Sequence, residues 1–179
     1  MIFRQLFDAT SSTYTYLLAS RRGGEALIID PVLERVDRYL KLIEELDLKL
    51  VKAVDTHLHA DHITGLGALR DHTKCITVMG EQSGVDVVSM RVSDGDRLDI
   101  EGLSLGVIYT PGHTDDSYCF TLADRVFTGE VRKSDGDPVW RSAVAASVEA
   151  TGGGGGIREA TTAAPYRSAA LLPMAITES

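Results

Sequence analysis

Along the chain the spacing of hydrophobic positions changes several times, and each change marks an element. Residues 13–18 (Thr-Tyr-Thr-Tyr-Leu-Leu) alternate and are rich in strand formers. Residues 26–30 (Ala-Leu-Ile-Ile-Asp) are apolar until Asp30-Pro31 stops them. With a short apolar-rich segment at 2–7 and a turn signal at Gly23-Gly24, they predict an antiparallel meander whose first strand lies at an edge. The period then lengthens. Val36, Tyr39, Leu40, Ile43 and Leu46 recur at helical steps, while Arg35, Arg38, Lys41 and Glu45 fill the other face. A buried strand is predicted at 48–54, a short helix at 64–70 and a strand at 76–79. The amides opening that second helix are expected to face the preceding loop and favour an anion. Its glycines, Gly65 and Gly67, are read as sites of close approach. Two hairpins follow, 97–100 with 103–109 around Glu101-Gly102, and 117–122 with 125–128 across Ala123-Asp124.

Candidate chemistry gathers where these strands end. The strand at 48–54 runs into Thr56-His57-Leu58-His59-Ala60-Asp61-His62, three imidazoles and a carboxylate within seven residues. Neutral imidazole and carboxylate together suit zinc, iron or manganese. If the segment stays extended, His57 and His59 share a side, and Asp61 and His62 fall where the chain turns into the helix. The strand at 103–109 ends in Thr110-Pro111-Gly112-His113-Thr114, and the strand at 125–128 ends in Gly129-Glu130. A single loop histidine would carry little weight. Three strands delivering His57 with His59, His113 and Glu130 to their ends predict one shared metal site.

Composition narrows the partners. Of 179 residues, 44% are hydrophobic and 25% charged, as in an ordinary soluble globular protein with room for a core. The net charge of −8 makes a nucleic-acid backbone a poor partner. No apolar run approaches membrane-spanning length, and Arg4 and Asp8 interrupt any signal-peptide core. The two cysteines, Cys75 and Cys119, have no metal or redox spacing and are expected to be buried free thiols, which points to a reducing, cytoplasmic setting.

After Glu130 the chain changes character. Glycine runs unbroken from Gly152 to Gly156, alanines crowd the remainder, and the five basic and five acidic residues of 131–179 cancel. Two units are expected: a folded part at 1–130, and a Gly/Ala-rich tail at 131–179 that is poorly ordered or weakly packed. So abrupt a change reads as an out-of-frame or foreign junction, which the sequence of the native locus would test. Without a regular second half, the first half would keep an uncovered sheet edge and face, inviting homo-oligomerisation or aggregation.

The chain resembles the metallo-β-lactamase superfamily through Thr-His-Leu-His-Ala-Asp-His at 56–62, Pro-Gly-His-Thr at 111–114 and Phe-Thr-Gly-Glu at 127–130. Within it, the chain is similar to the persulfide dioxygenase branch over 1–129, through Phe3-Arg4-Gln5-Leu6-Phe7, Ser12-Thr13-Tyr14-Thr15-Tyr16-Leu17-Leu18, Ile28-Ile29-Asp30-Pro31-Val32-Leu33-Glu34 and His59-Ala60-Asp61-His62-Ile63-Thr64-Gly65. The resemblance implies an α/β fold, the αβ/βα sandwich, with its N-terminal half recognisable and its C-terminal half replaced or truncated. It implies one Fe(II), or alternatively Zn(II), held by His57, His113 and the carboxylate at Glu130. His59 is a further candidate ligand. Asp61 and His62 are candidate catalytic groups that, with His59, orient ligands or move protons. The implied reaction oxidises glutathione persulfide with O₂ to sulfite and glutathione. The alternatives are a zinc thioester hydrolase resembling glyoxalase II, and an inactive metal-binding fragment. Leu58 stands where the hydrolases usually carry a further His, and Asp115-Asp116-Ser117-Tyr118 follows Pro-Gly-His-Thr; both favour the dioxygenase. Two features depart from the branch: Glu130 replaces its Asp, and its glutathione-binding loop is not recognisable in 131–179.

Overall fold

The computed structural model describes residues 1–129 and the strand Arg158–Thr161. Glu130, and with it the expected third ligand and most of the expected tail, lies outside the described residues.

Two sheets make the described fold. The first runs in chain order through β1 (Ile2–Asp8), β2 (Thr13–Ala19), β3 (Glu25–Ile29), β4 (Lys49–Val54), β5 (Ile76–Gly80) and β6 (Met90–Val92). Its first three strands are antiparallel, the expected meander with β1 at the edge. The pairs from β3 to β6 are parallel. Parallel neighbours need crossovers, and α1 (Val36–Glu45) and α2 (Leu66–Thr73) supply two of them. The second sheet is β7 (Arg97–Ile100), β8 (Leu103–Tyr109), β9 (Tyr118–Leu122), β10 (Arg125–Thr128) and β11 (Arg158–Thr161), in the order β11-β10-β9-β8-β7. Both expected hairpins are present in it.

Side-chain alternation divides the core in two. Tyr16, Leu18, Leu27 and Ile29 face the second sheet and meet Leu98, Leu105, Phe120 and Phe127. Their neighbours Leu17, Ala19, Ala26 and Ile28 face the helices and meet Val36, Tyr39, Ile43 and Leu69. With both faces covered, β3 has no polar side, which explains its unbroken apolar run. Burying each large aliphatic or aromatic side chain contributes roughly 1.5–3 kcal/mol. On the outer face of the second sheet a small cluster joins Cys119, Val126 and Ile108. Cys75 and Cys119 are both buried, and neither is in a disulfide. No helix among the described residues is long and apolar enough to cross a membrane.

Three expectations need correction. The second helix starts at Leu66 rather than residue 64, and the amides of Gly65 and Leu66 at its start are already taken within the protein. The Gly65 amide donates to the Pro31 carbonyl at 2.6 Å, and that of Leu66 to Thr64 Oγ1 at 3.2 Å. Only one of the two glycines marks a close approach. A Cβ at Gly65 would lie 3.1 Å from Val36 Cγ2 and 3.2 Å from the Pro31 carbonyl, whereas one at Gly67 would meet nothing within 4 Å. Finally, the edge of β10 is not open, because Arg158–Thr161 pairs with it in parallel. A four-residue strand just after a glycine run carries little hydrophobic periodicity, so pattern reading passes over it. The same holds for β6, whose Met-Arg-Val is too short to show alternation.

The parallel strands end in register. Ile29 pairs with Val54, and Val54 with Val78. The next residues, Asp30 and Asp55, continue the ladder by donating their amides to the Val54 and Val78 carbonyls at 2.8 and 3.1 Å. Two carboxylates therefore stand side by side at the rim. The second sheet is stitched to the same rim, with the Tyr118 amide donating to the Thr56 carbonyl at 2.8 Å. Gly80 lets the sheets approach there, since a Cβ would fall 2.1 Å from the Tyr118 ring.

Candidate metal centre

The histidine loop leaves β4 through Asp55 and Thr56, both buried. Its rings cluster. His57 and His59 have centroids 4.2 Å apart, and His59 and His62 lie 4.3 Å apart. His113, from the loop between β8 and β9, meets His57 edge-on at 5.4 Å. That loop is tied down by Asp116, whose carboxylate accepts the Leu58 amide at 2.9 Å. The two sheets thus bring together the two expected histidine ligands, 56 residues apart in sequence.

Asp30 organises the inner side. It is fully buried and sits in the left-handed region at φ 49°, which Asp tolerates better than most residues and which turns its carboxylate towards the loop. It accepts the Thr56 amide at 2.7 Å, the Thr56 hydroxyl at 3.0 Å, and a contact from His59 Nε2 at 3.1 Å. The Thr56 hydroxyl also lies 2.9 Å from His57 Nδ1. A hydroxyl has one proton. Since Thr56 gives it to Asp30, it accepts from His57, so Nδ1 carries the hydrogen and Nε2 keeps its lone pair for an ion. Sequence reasoning treated Asp30 only as a strand stop and part of a family motif, named Thr56 only as the first residue of the histidine motif, and passed over Asp55. The available signal was that two apolar strands are each followed directly by Asp.

Electrostatics agree with this assignment. Burial, then repulsion from His59, pushes His57 down to about 4, so it is neutral near pH 7 as a ligand must be. Burial also opposes charge on His59, but Asp30 outweighs it and the net shift is upward. Burial raises Asp55 to about 7. Asp61 is held well below the usual carboxylate range by hydrogen bonding to His59, aided by Thr13 Oγ1 at 2.9 Å. His62 is lowered, chiefly by burial.

The donors fit a divalent transition ion. His59, Asp61 and His62 offer ligand atoms within 4.8 Å of one another, as do Asp30, Asp55 and His59. Among the described residues, buried His62 Nε2 has no hydrogen-bond partner. An unpaired buried ring nitrogen costs stability unless an ion or water takes it. Gly129 closes the far side. A Cβ there would sit 2.9 Å from Thr56 Oγ1 and 3.1 Å from His57 Nδ1, so the chain leaves β10 packed against His57. Glu130 is the next residue.

The sequence profile of the metallo-beta-lactamase superfamily matches residues 9–87, inside the sandwich that carries these histidines, and over those residues the chain resembles that superfamily. Within it, the resemblance is to the persulfide dioxygenases. The chain is 44% identical over 133 residues to the mouse persulfide dioxygenase ETHE1, mitochondrial, covering 73% of this chain and 52% of that protein. The crystal structure of ETHE1 from Myxococcus xanthus superposes with a TM-score of 0.70 at 52% identity, over 72% of this chain and 57% of that one. A hydroxyacylglutathione hydrolase of Klebsiella pneumoniae is 33% identical over 129 residues, 72% of this chain and 50% of that protein. The chain spans about half the length of the curated relatives it matches.

Proposed function

We propose that the chain is a mononuclear nonheme Fe(II) persulfide dioxygenase. In this reading residues 1–130 form the metallo-β-lactamase-like unit and 131–179 a separate tail. His57, His113 and Glu130 hold the iron. Two imidazoles and one carboxylate on one face leave positions for substrate sulfur and oxygen. The overall reaction consumes glutathione persulfide, O₂ and water, and yields glutathione, sulfite and two protons. What carries the reading is the meeting of His57 and His113 from different sheets at 5.4 Å, with His57 Nε2 left as the acceptor nitrogen.

Iron, when bound, supplies the oxygen activation. The chain's own residues do the rest. Asp30 and Thr56 hold the His57 ring in one tautomer and one orientation. Asp61 Oδ2 and His62 Nδ1 lie 3.3 Å apart and share the Thr13 hydroxyl, a network that keeps Asp61 ionised and fixes the His62 ring beside the site. His59 links Asp30 to Asp61 and keeps both carboxylates ionised.

Metal analysis and oxygen uptake on the purified full chain test the proposal. We expect about one iron per chain and oxygen consumption driven by glutathione persulfide, with metal occupancy in His113→Ala falling by roughly ten-fold or more. Zinc together with thioester turnover and no oxygen uptake would reject it in favour of a hydrolase. That second reading draws on the His59, Asp61 and His62 cluster, which suits a zinc ion, and on the similarity to hydroxyacylglutathione hydrolase. Absence of stoichiometric metal and of turnover would leave an inactive fragment that binds metal only weakly. A cytoplasmic location and homo-association belong to the same proposal.

A further inference from the structure

Beside the histidine loop, a pocket of about 160 Å³ opens between α2, β5 and residues 84–89. Its walls are mainly aliphatic, from Leu66, Met79, Val85 and Val88, and its inner wall includes His59. Leu58 and Val87, 55% and 73% exposed, belong to its lining and extend the apolar surface out to solvent. The ring of His59 stands 4.2 Å from that of His57, so the pocket ends one ring away from a proposed iron ligand.

We propose that this pocket is the oxygen port of the centre, taking dioxygen from solvent through the Leu58 and Val87 mouth and holding it beside His59. The inference rests on the iron dioxygenase reading. Size and lining decide the occupant. Pockets for substrates of drug-like size run to roughly 300–1,000 Å³, so this one is too small for a glutathione conjugate. Asp55 and Arg70 both line it, so its charge singles out no ion, and most of the remaining wall is aliphatic. A neutral diatomic fits that space. Apolar cavities of about 150 Å³ stay dry and take up xenon, and dioxygen shares xenon's preference for apolar surroundings.

Gly67 provides the test. It lines the pocket, and a Cβ on it would meet nothing within 4 Å, so a larger side chain can be introduced there, and Gly67→Leu is the variant chosen to occupy the space. Xenon is added to the full chain carrying ¹³C-labelled methyl groups, and KM for oxygen is measured on the iron-loaded protein. In the unsubstituted chain, xenon is expected to shift the methyl resonances of Leu66, Met79, Val85 and Val88. Gly67→Leu should abolish those shifts and raise KM for oxygen roughly five-fold, leaving KM for the persulfide unchanged. Gly67→Ala should leave both readouts near the original, and Val88→Phe, from the opposite wall, should repeat the Gly67→Leu result. Lack of xenon uptake by the unsubstituted chain overturns the inference. So does a filled pocket with an unchanged KM for oxygen. Xenon uptake without any persulfide-driven oxygen consumption removes the dioxygenase reading itself, which separates the two failures.

Discussion

Thr56 shows how much one hydroxyl decides. It stands between a buried carboxylate and a metal-competent imidazole, donating to Asp30 and accepting from His57. Thr56→Val keeps the shape and removes the link. His57 then loses the partner that selects its tautomer, and an Asp30 oxygen loses a donor. We expect metal affinity to fall by roughly 10–100-fold, with a stability loss of about 1–3 kcal/mol for the unsatisfied carboxylate oxygen. Thr56→Ser should restore affinity. Metal titration of the three proteins checks this, and equal affinity in Thr56→Val would show that the hydroxyl does not orient His57. At this scale the candidate site residues were legible and the groups that hold them were not. His57, His59 and His113 as candidate ligands, and His62 as a candidate catalytic group, announce themselves by residue type and by their place at strand ends. Asp30, Thr56 and Asp116 are ordinary residues until folding brings them within 3.0 Å of their partners.

The second helix illustrates the element scale. Its two glycines look alike in sequence but sit in opposite surroundings. Gly65 is wedged against Val36 and Pro31, which lets α2 start beside the end of β3 and aims the histidine loop between them. Gly67 faces open space. Gly65→Ala should therefore destabilise the fold by about 1 kcal/mol or more through overpacking, while Gly67→Ala should stabilise it by about 0.5–1 kcal/mol through lower unfolded-chain entropy and better helix propensity. Urea unfolding of both variants decides the matter, and shifts of the same sign would contradict this reading of α2. Elements with a long hydrophobic period, such as α1 and the hairpins of the second sheet, could be read from the chain. The start of α2 could not, because hydrogen bonds donated by the Gly65 and Leu66 amides to the Pro31 carbonyl and Thr64 Oγ1 set it rather than any periodicity.

For the whole molecule, the closure of β1 and β2 onto the first crossover depends on Asp8. Its buried carboxylate accepts the Ser11 amide and hydroxyl at 2.9 and 2.8 Å and the Arg35 guanidinium at 2.6 Å. Hydrogen bonding from the Ser11 amide, with help from the Ser11 hydroxyl and Arg35, holds its pKa down to about 2. The unfolded chain titrates near about 3.9. A carboxyl with a depressed folded pKa contributes stability that is complete above the unfolded value and disappears as pH falls towards the folded one. Thermal melts followed by circular dichroism should therefore show stability falling between pH of about 4 and about 2. Asp8→Asn should be less stable at neutral pH and show a shallower acid slope. An unchanged slope would remove Asp8 from the account.

By itself the sequence determined the longer strands and helices, which faces they bury, and which residues could ligate a metal, because hydrophobic period and side-chain chemistry are local properties. Only the tertiary structure decided that Asp30 and Asp55 stand side by side, that His113 crosses from the other sheet to meet His57, and that a small apolar pocket backs onto His59. Those facts depend on strand register and on the docking of two sheets, which join residues far apart in the chain and leave no trace in the spacing of any one segment.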